Sequence, residues 1–523
     1  MRLEDVDHIG ISRDPSAHLH KKILYAASRL GVFRQAKDRL ANAAKVRDLK
    51  DELARLFSVS KRQLRAQFHN VEHHLAHLAS CFFVSPFERA ALLSIDGFGD
   101  FISTMWAIGE GNSIEVLGQV EYPHSTGIVY TATTQFLGFP HYGDEGKVMG
   151  LAPYGEPRFI EQFRQIIRTE ERGQFRLNLD YFRHHAEGVE MTWDEGSPRI
   201  GRIFSDEFGR TFGPAREAGA PLSDRERDIA ASLQLRLEEI AFHVLTHLHE
   251  QTGVTDLGLA GGVAYNSVMN GKILLHTPFR RIFAQPAAGD SGTALGVCYH
   301  LHNQVLKQPR GEVMTGAYTG PCFSPEEIHK ALVQNEIKFE TYTDESVTKR
   351  AAQDIADGLV VGWFQGRMEF GPRALGNRSI VVDPRRADMK DTLNERIKKR
   401  EPFRPFAPSI LEERVGDYFE QSHPAPTMLM VYQIKPERRA EIPAVTHVDG
   451  SGRLQTVSRK LNQRYYQLIS DFAELTGVPV LLNTSFNENE PIVCTPQEAI
   501  DCFLNTRMDA LYLGNYAVRR TDR

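Results

Sequence analysis

Two histidines, His73 and His77, stand four residues apart in the run HNVEHHLAHLAS. On a helix that spacing places both imidazoles on one face, where they can reach a single ion. Two carboxylates strengthen the pattern. Asp96 lies in SIDGFGD at the end of an apolar run, where glycines leave the carboxylate accessible. Asp290 lies in AAGDSGTALG, a glycine-lined turn opening a helix, where backbone N–H groups could also hold an anion. Two imidazoles and two carboxylates suit iron, manganese or zinc, with room left for phosphate oxygens. His69 and His74 are close by and are expected to support the ligands or to lie at the surface.

A second chemistry is written in glycines. LGLAGGVAYNSVMNGKI places Gly261 and Gly262 between a strand and a helix, where the absence of a side chain lets the backbone approach a phosphate. Asn266 and Asn270 then offer amides to a ribose or phosphate. With GDSGTALG downstream, this turn resembles the nucleotide cradle of the sugar-kinase, Hsp70 and actin superfamily. No GxxxxGK[ST] loop occurs, which argues against a P-loop enzyme. In YGDEGKVMGLAPYG, Lys147 can pair with a phosphate, or with Asp144 or Glu145.

The second half is basic in one place. RIKKREPFRPFAPSI sets Lys398, Arg400 and Arg404 among Phe403, Pro405 and Phe406. Guanidinium groups hold phosphate or carboxylate bidentately, and a lysine adds a point charge. DGSGRLQTV contributes Arg453, and LLNTSFNENEPIV contributes Ser485 and Asn487 at the end of a strand, where α/β sheets bind ligands. EFGPRALGNRSI offers Arg373, Asn377 and Arg378 to the same anion pocket.

Helices and strands must alternate to position these groups, which is the α/β pattern. A helix is expected over 71–83 and a buried strand over 90–95, ending at Asp96-Gly97. A longer helix over 225–251 keeps Ile229, Leu233, Leu237, Ile240, Val244 and Leu248 on one face, with Asp224 as N-cap and Gly253 as terminator. A strand over 257–260 runs into Gly261. The Gly- and Pro-rich stretch 307–325 reads as a link, followed by a helix over 346–358 and a strand over 359–364. Two domains, 1–320 and 340–523, follow. The 523 residues are 41% hydrophobic and 25% charged, which is ordinary for a globular chain. The five cysteines form no CxxC pair, and a net charge of −5 disfavours nucleic acid as a partner. No long apolar run or signal-peptide core is present, so no membrane partner is expected and the cytoplasm is the expected location.

Together, HHLAH, DGFGD, GKVMGLAPYG, LAGGVAYN, FGPRALGNRSI, KKREPFRPFAP and NTSFN resemble, in order and over nearly the whole chain, the O-carbamoyltransferase family of the NodU, CmcH and TobZ type. The resemblance implies an actin-like (ASKHA-type) domain followed by a YrdC-like domain. It implies that the YrdC-like site makes carbamoyl-adenylate and pyrophosphate from ATP and carbamoyl phosphate. The intermediate then passes to the metal site, where a hydroxyl of a sugar or natural product attacks it. His73, His77, Asp96 and Asp290 would hold the metal, with iron implied by the family, and magnesium would accompany ATP. Lys147, Gly261, Gly262 and Asn266 would bind nucleotide. Lys398, Arg400, Arg404, Arg453, Ser485 and Asn487 would bind carbamoyl phosphate and AMP. A homodimer is compatible with this reading, and no general base stands out. Family members begin with some tens of residues carrying a His-Asp-Ser-Ala-like motif. This chain starts beyond them, near DHIGIS, and a late-assigned start is expected. The alternatives are a degenerate nucleotide-binding regulator without turnover, and a tRNA threonylcarbamoyl transferase, which the acidic balance disfavours.

Overall fold

The computed structural model describes residues 2–27, 49–189, 191–194 and 197–520. Its strands and helices alternate as an α/β protein. The chain divides into two compact units, one of Met1–Val148, Gly155–Tyr265 and Ile273–Val313, the other of Met149–Tyr154, Asn266–Lys272 and Met314–Arg523. The main changeover falls inside the stretch 307–325. Two short pieces of the first half also belong to the second unit, which a single cut along the sequence does not anticipate.

The first unit opens with β1 (His8–Ile11), parallel to β2 (Gln67–Asn70). After β2 come helix α1 (His73–Phe82) and the antiparallel meander β3 (Arg89–Gly99), β4 (Ile102–Glu110) and β5 (Ser113–Glu121). Helix α2 (Thr126–Phe136) follows, and later α3 (Asp224–Thr252). Strands β6 (Asp256–Ala260) and β7 (Arg281–Ala284) add in parallel, giving a five-stranded sheet of order β7-β6-β3-β4-β5. Between them in sequence runs α4 (Ser267–His276), whose residues as far as Lys272 belong to the second unit, and after β7 comes α5 (Thr293–Tyr299).

Two local expectations are corrected. Asp224 is the first helical residue of α3, not its cap: Ser223 caps it in a box with Glu226, and Gly253 (φ 64°) ends it. Strand β3 does not stop at Asp96-Gly97, because its pairing with β4 resumes at Gly99↔Ile102 after an irregularity.

The second unit is built on a nine-stranded mixed sheet. Its strands are β8 (Glu340–Thr341), β9 (Val361–Phe364), β10 (Arg378–Val382), β11 (Ala407–Leu411), β12 (Met430–Gln433), β13 (Ser451–Val457), β14 (Val480–Ser485), β15 (Ala510–Leu513) and β16 (Tyr516–Arg519). Their order is β8-β16-β15-β9-β10-β14-β11-β13-β12. Helix α6 (Asp344–Ala356) precedes β9. The strand expected from 359 starts at Val361, since Leu359 N–H closes onto Asp354 O and Val360 N–H donates to the Asp509 carboxylate.

Helix α1 is fixed on two sides. Leu78, Phe82 and Phe83 pack on Leu92, Ile102 and Met105 of the sheet. Ala76 meets Val297 and Leu301 on the opposite side. There Gly296 of α5 lies so close that a Cβ would stand 1.8 Å from Ala76 O. Gly296→Ala is therefore expected to destabilise the protein by about 1–3 kcal/mol. Urea unfolding followed by circular dichroism would show this as a lower midpoint with unchanged native signal.

Candidate functional site

Helix α1 carries His73 and His77, β3 supplies Asp96, and the turn before α5 supplies Asp290. One ligand atom from each of the four lies within 4.8 Å of every other. Asp96 Oδ2 is 3.2 Å from both His73 Nε2 and His77 Nε2, and the two nitrogens are 3.1 Å apart. Asp290 Oδ1 is 3.6 Å from His73 Nε2 and 3.7 Å from His77 Nε2. Donors bound at about 2.1 Å to one ion are separated by about 3.0 Å at right angles and about 3.4 Å in a tetrahedron. The donor set and its spacing fit a divalent transition metal.

The electrostatics agree. Burial resists a charge on His77, but the carboxylates of Asp290 and Asp96 overcome it and raise the imidazole to about 9. Burial would likewise favour a neutral Asp96, yet His73 and His77 hold its carboxyl well below the usual range. A carboxylate kept ionised beside two imidazoles attracts a cation, whether proton or metal. Asp290 is 72% exposed, so the fourth donor faces outward. His74 is turned to the sheet, with Nδ1 2.9 Å from Ser94 Oγ and Nε2 3.0 Å from Ile102 O. Burial first, then His73 and His77, keep it well below its ordinary value, so it pins α1 as a neutral group. His69 pairs with His8, ring nitrogens 2.9 Å apart.

The glycines of this region have a reason that the sequence alone did not give. A Cβ on Gly99 would lie 1.9 Å from His73 Cδ2, so DGFGD needs Gly99 to admit the His73 ring. Gly262 leaves space for Asp96 Oδ1, 2.7 Å from where its Cβ would be. Gly261 (φ +93°) passes the carbonyl of Ile95 at a distance no side chain tolerates. Both glycines therefore make room for Ile95 and Asp96 of β3. Lys147 lies 2.9 Å from Asp144 Oδ1, and Asn266 Oδ1 accepts the N–H of Met269 at the start of α4.

In the second unit, Lys398, Ser485 and Asn487 come together. The Lys398 ammonium donates to Ser485 O (2.6 Å), Asn487 O (2.7 Å) and Asn487 Oδ1 (2.7 Å), which holds the mouth of β14. Burial, then Arg400, push Lys398 down to about 7. Arg400 donates to Asn394 Oδ1 and lies over Phe406; burial and Arg404 push it down to about 9. Arg453 is held well below its ordinary value by burial and by Arg373, Arg400 and Arg404. Arg400 Nη2 and Arg453 Nε are buried without a hydrogen-bond partner. Crowded guanidinium groups with spare donors have the chemistry to hold an anion.

Arg378, expected in this pocket, is instead consumed by carbonyls. It donates to Gln365 O and Asn377 O and lies 3.7 Å over the Phe364 ring. Asn377 donates to Arg367 O. Sequence reasoning passed over Glu369, whose buried carboxylate accepts the N–H groups of Leu375, Asn377 and Arg378 and so shapes the loop bearing Arg373. It also passed over His447, half-buried near Arg453 with Nδ1 3.2 Å from Ser451 Oγ. The sequence HVDGSGR, which joins His447 to Arg453, was the available signal.

Comparison with known proteins adds identity to geometry. Residues 16–299 match the family described as Carbamoyltransferase N-terminus, and residues 352–520 match Carbamoyltransferase C-terminus. An uncharacterised protein of Synechocystis sp. is 43% identical over 501 residues, covering 90% of this chain and 79% of its own. Nodulation protein NolNO of Sinorhizobium fredii is 42% identical over 481 residues, covering 90% of this chain and 66% of its own. Among solved structures, HypF of T. kodakarensis aligns with 19% identity and a TM-score of 0.27 over 50% of this chain and 39% of its own.

Two outcomes are expected at these sites. His77→Ala should weaken Co²⁺ binding by about 100-fold or more, read by titration calorimetry, because a primary donor is lost. At the arginine cluster, a bound anion offsets the cationic crowding and raises Lys398, so inorganic phosphate should bind with proton uptake between about pH 7 and 9. Its affinity should fall as pH rises through that window, where the unliganded lysine has lost its proton. Calorimetry in buffers of different ionisation enthalpy reads the uptake, and Lys398→Met should reduce it, most clearly near pH 7.

Proposed function

The chain belongs to the carbamoyltransferase family and is an enzyme that transfers carbamoyl groups; we propose that it draws them from carbamoyl phosphate with ATP and delivers them to a hydroxyl. The observation that carries this reading is the convergence of His73, His77, Asp96 and Asp290 in a chain whose two halves match the two family regions.

The arginine cluster suits adenylation. Water converts carbamoyl phosphate to carbamate and phosphate; a carbamate oxygen then attacks the α-phosphorus of ATP and pyrophosphate leaves. Arg400, Arg404 and Arg453, with Arg373, stabilise the charge on carbamate and phosphates, and the spare donors of Arg400 and Arg453 are already in place. The Lys398–Ser485–Asn487 knot orders the strand mouth beside them. In the second step an acceptor oxygen attacks the carbonyl carbon of carbamoyl-adenylate. The O–C bond to AMP breaks, and the acceptor proton passes to solvent or an as yet unassigned base. His73, His77, Asp96 and Asp290 would hold the divalent metal, with iron the first candidate and manganese or zinc the others. When bound, that ion supplies a positive centre for phosphate oxygens. The glycines at 261 and 262 support nucleotide binding by the first unit, which we assign to the actin-like class, and we assign the second to the YrdC-like class.

The acceptor is a small molecule with a sugar-like or natural-product hydroxyl, magnesium accompanies ATP, and neither nucleic acid nor a membrane is a partner. We place the protein in the cytoplasm, and a homodimer is compatible with this reading. Among the described residues no helix is long and apolar enough to cross a membrane.

With Mg·ATP, carbamoyl phosphate and a divalent metal, the protein should release pyrophosphate and, given an acceptor, AMP. Arg453→Ala should lower pyrophosphate release by about 10²–10³-fold. His77→Ala should retain pyrophosphate release and lose acceptor carbamoylation, read by mass spectrometry. Absence of carbamoyl-phosphate-dependent pyrophosphate release would refute the reading.

A further inference from the structure

The turn joining β3 to β4 is unusual for its residues. Gly99 pairs with Ile102, leaving Asp100 and Phe101 as a two-residue loop. Both have positive φ, +46° and +82°, the geometry of a type I′ turn, which favours Asn-Gly. Phenylalanine is a poor choice for the second place, and its ring is held between Tyr25 and Tyr122 at 5.9 and 5.5 Å. A left-handed backbone kept without glycine points to a side chain that is needed there.

That side chain is Asp100. Its Oδ2 accepts the N–H of His73 at 3.1 Å and the N–H of Asp14 at 2.7 Å. The His73 N–H is one of the first-turn donors of α1 that the helix itself cannot satisfy, and the cap residue Glu72 is engaged with Leu75 instead. Asp14 in turn accepts from Ser16 N–H and Oγ, ordering the start of the chain's next turn. The stretch 96–100 thus grips His73 at three points: Asp96 at Nε2, Gly99 against the ring, and Asp100 at the backbone.

We propose that Asp100 is a positioning residue for the metal site, fixing the backbone of His73 and coupling it to the segment around Asp14. The proposal rests on the metal reading of His73, His77, Asp96 and Asp290. Metal binding, which fixes His73, then also tightens the Asp14 segment, and loosening that segment weakens metal binding.

The test uses Co²⁺ with the full chain, reading affinity by calorimetry and ligand field by visible absorption. Asp100→Gly suits the turn backbone but removes the acceptor; it should weaken Co²⁺ binding about 10–100-fold and alter the spectrum. Asp100→Asn keeps an acceptor and tolerates a left-handed backbone, and should stay within about threefold of wild type with the same spectrum. Wild-type protein that fails to bind Co²⁺ overturns the metal reading and this inference together. Binding by wild type that Asp100→Gly matches, or that Asp100→Asn loses to the same extent as Asp100→Gly, overturns the inference alone. Amide exchange on wild type gives an answer independent of how the variants fold: Co²⁺ should slow exchange at His73 and Asp14 together, and an unchanged rate at Asp14 overturns the coupling.

Discussion

Two imidazole nitrogens 3.1 Å apart, with a carboxylate 3.2 Å from each, impose a tight requirement on the first unit. Such a grouping is stable only if a cation, proton or metal, lies among the three atoms. It also demands that one short helix be held to a fraction of an ångström. Neutral His74 ties that helix to two strands, and Gly296 lets α5 approach until backbone meets backbone. Gly99 gives way to a ring. Much of the local sequence is thus explained by where α1 must lie, and only indirectly by the chemistry done there.

The second unit meets the opposite problem. Its arginines repel one another, and burial removes the water that would shield them. Such crowding costs stability, and on the reading proposed above an anion would relieve it. The sheet beneath is polar where it matters. Asn483 donates to Ala374 O, Ser409 Oγ and Gln455 Oε1, and Gln455 donates to Leu375 O. These bonds hold the loop that presents Arg373 over strands β11, β13 and β14.

Elements with strong periodicity were legible from sequence. The faces of α1 and α3, the strand before Gly261 and the irregular link all follow from spacing and turn residues. The grouping of His73 with His77 was legible for the same reason, since helical spacing is local. The meeting with Asp96 and Asp290 is a long-range fact of sheet order, which residue chemistry and family resemblance suggested and spacing alone could not. What sequence could not supply was the use to which a residue is put. Arg378 and Arg400 look alike in composition, yet one is saturated by carbonyls and the other retains a spare donor. Gly261 and Gly262 suggest phosphate, while their backbones answer to Ile95 and Asp96 of β3. Asp224 and Ser223 are both good caps, and only the reciprocal bond with Glu226 decides between them.

The assignment of 149–154 and 266–272 to the second unit has a consequence for how the protein can be divided. The polypeptide leaves one body for the other and returns, twice, before the final departure at 313–314. A gene fragment beginning at the link would encode the nine-stranded sheet but omit two of the strips that complete its body, including Asn270, whose amide donates to Leu429 O. Shuffling the halves between relatives as cassettes therefore calls for transplanting those strips along with the C-terminal portion.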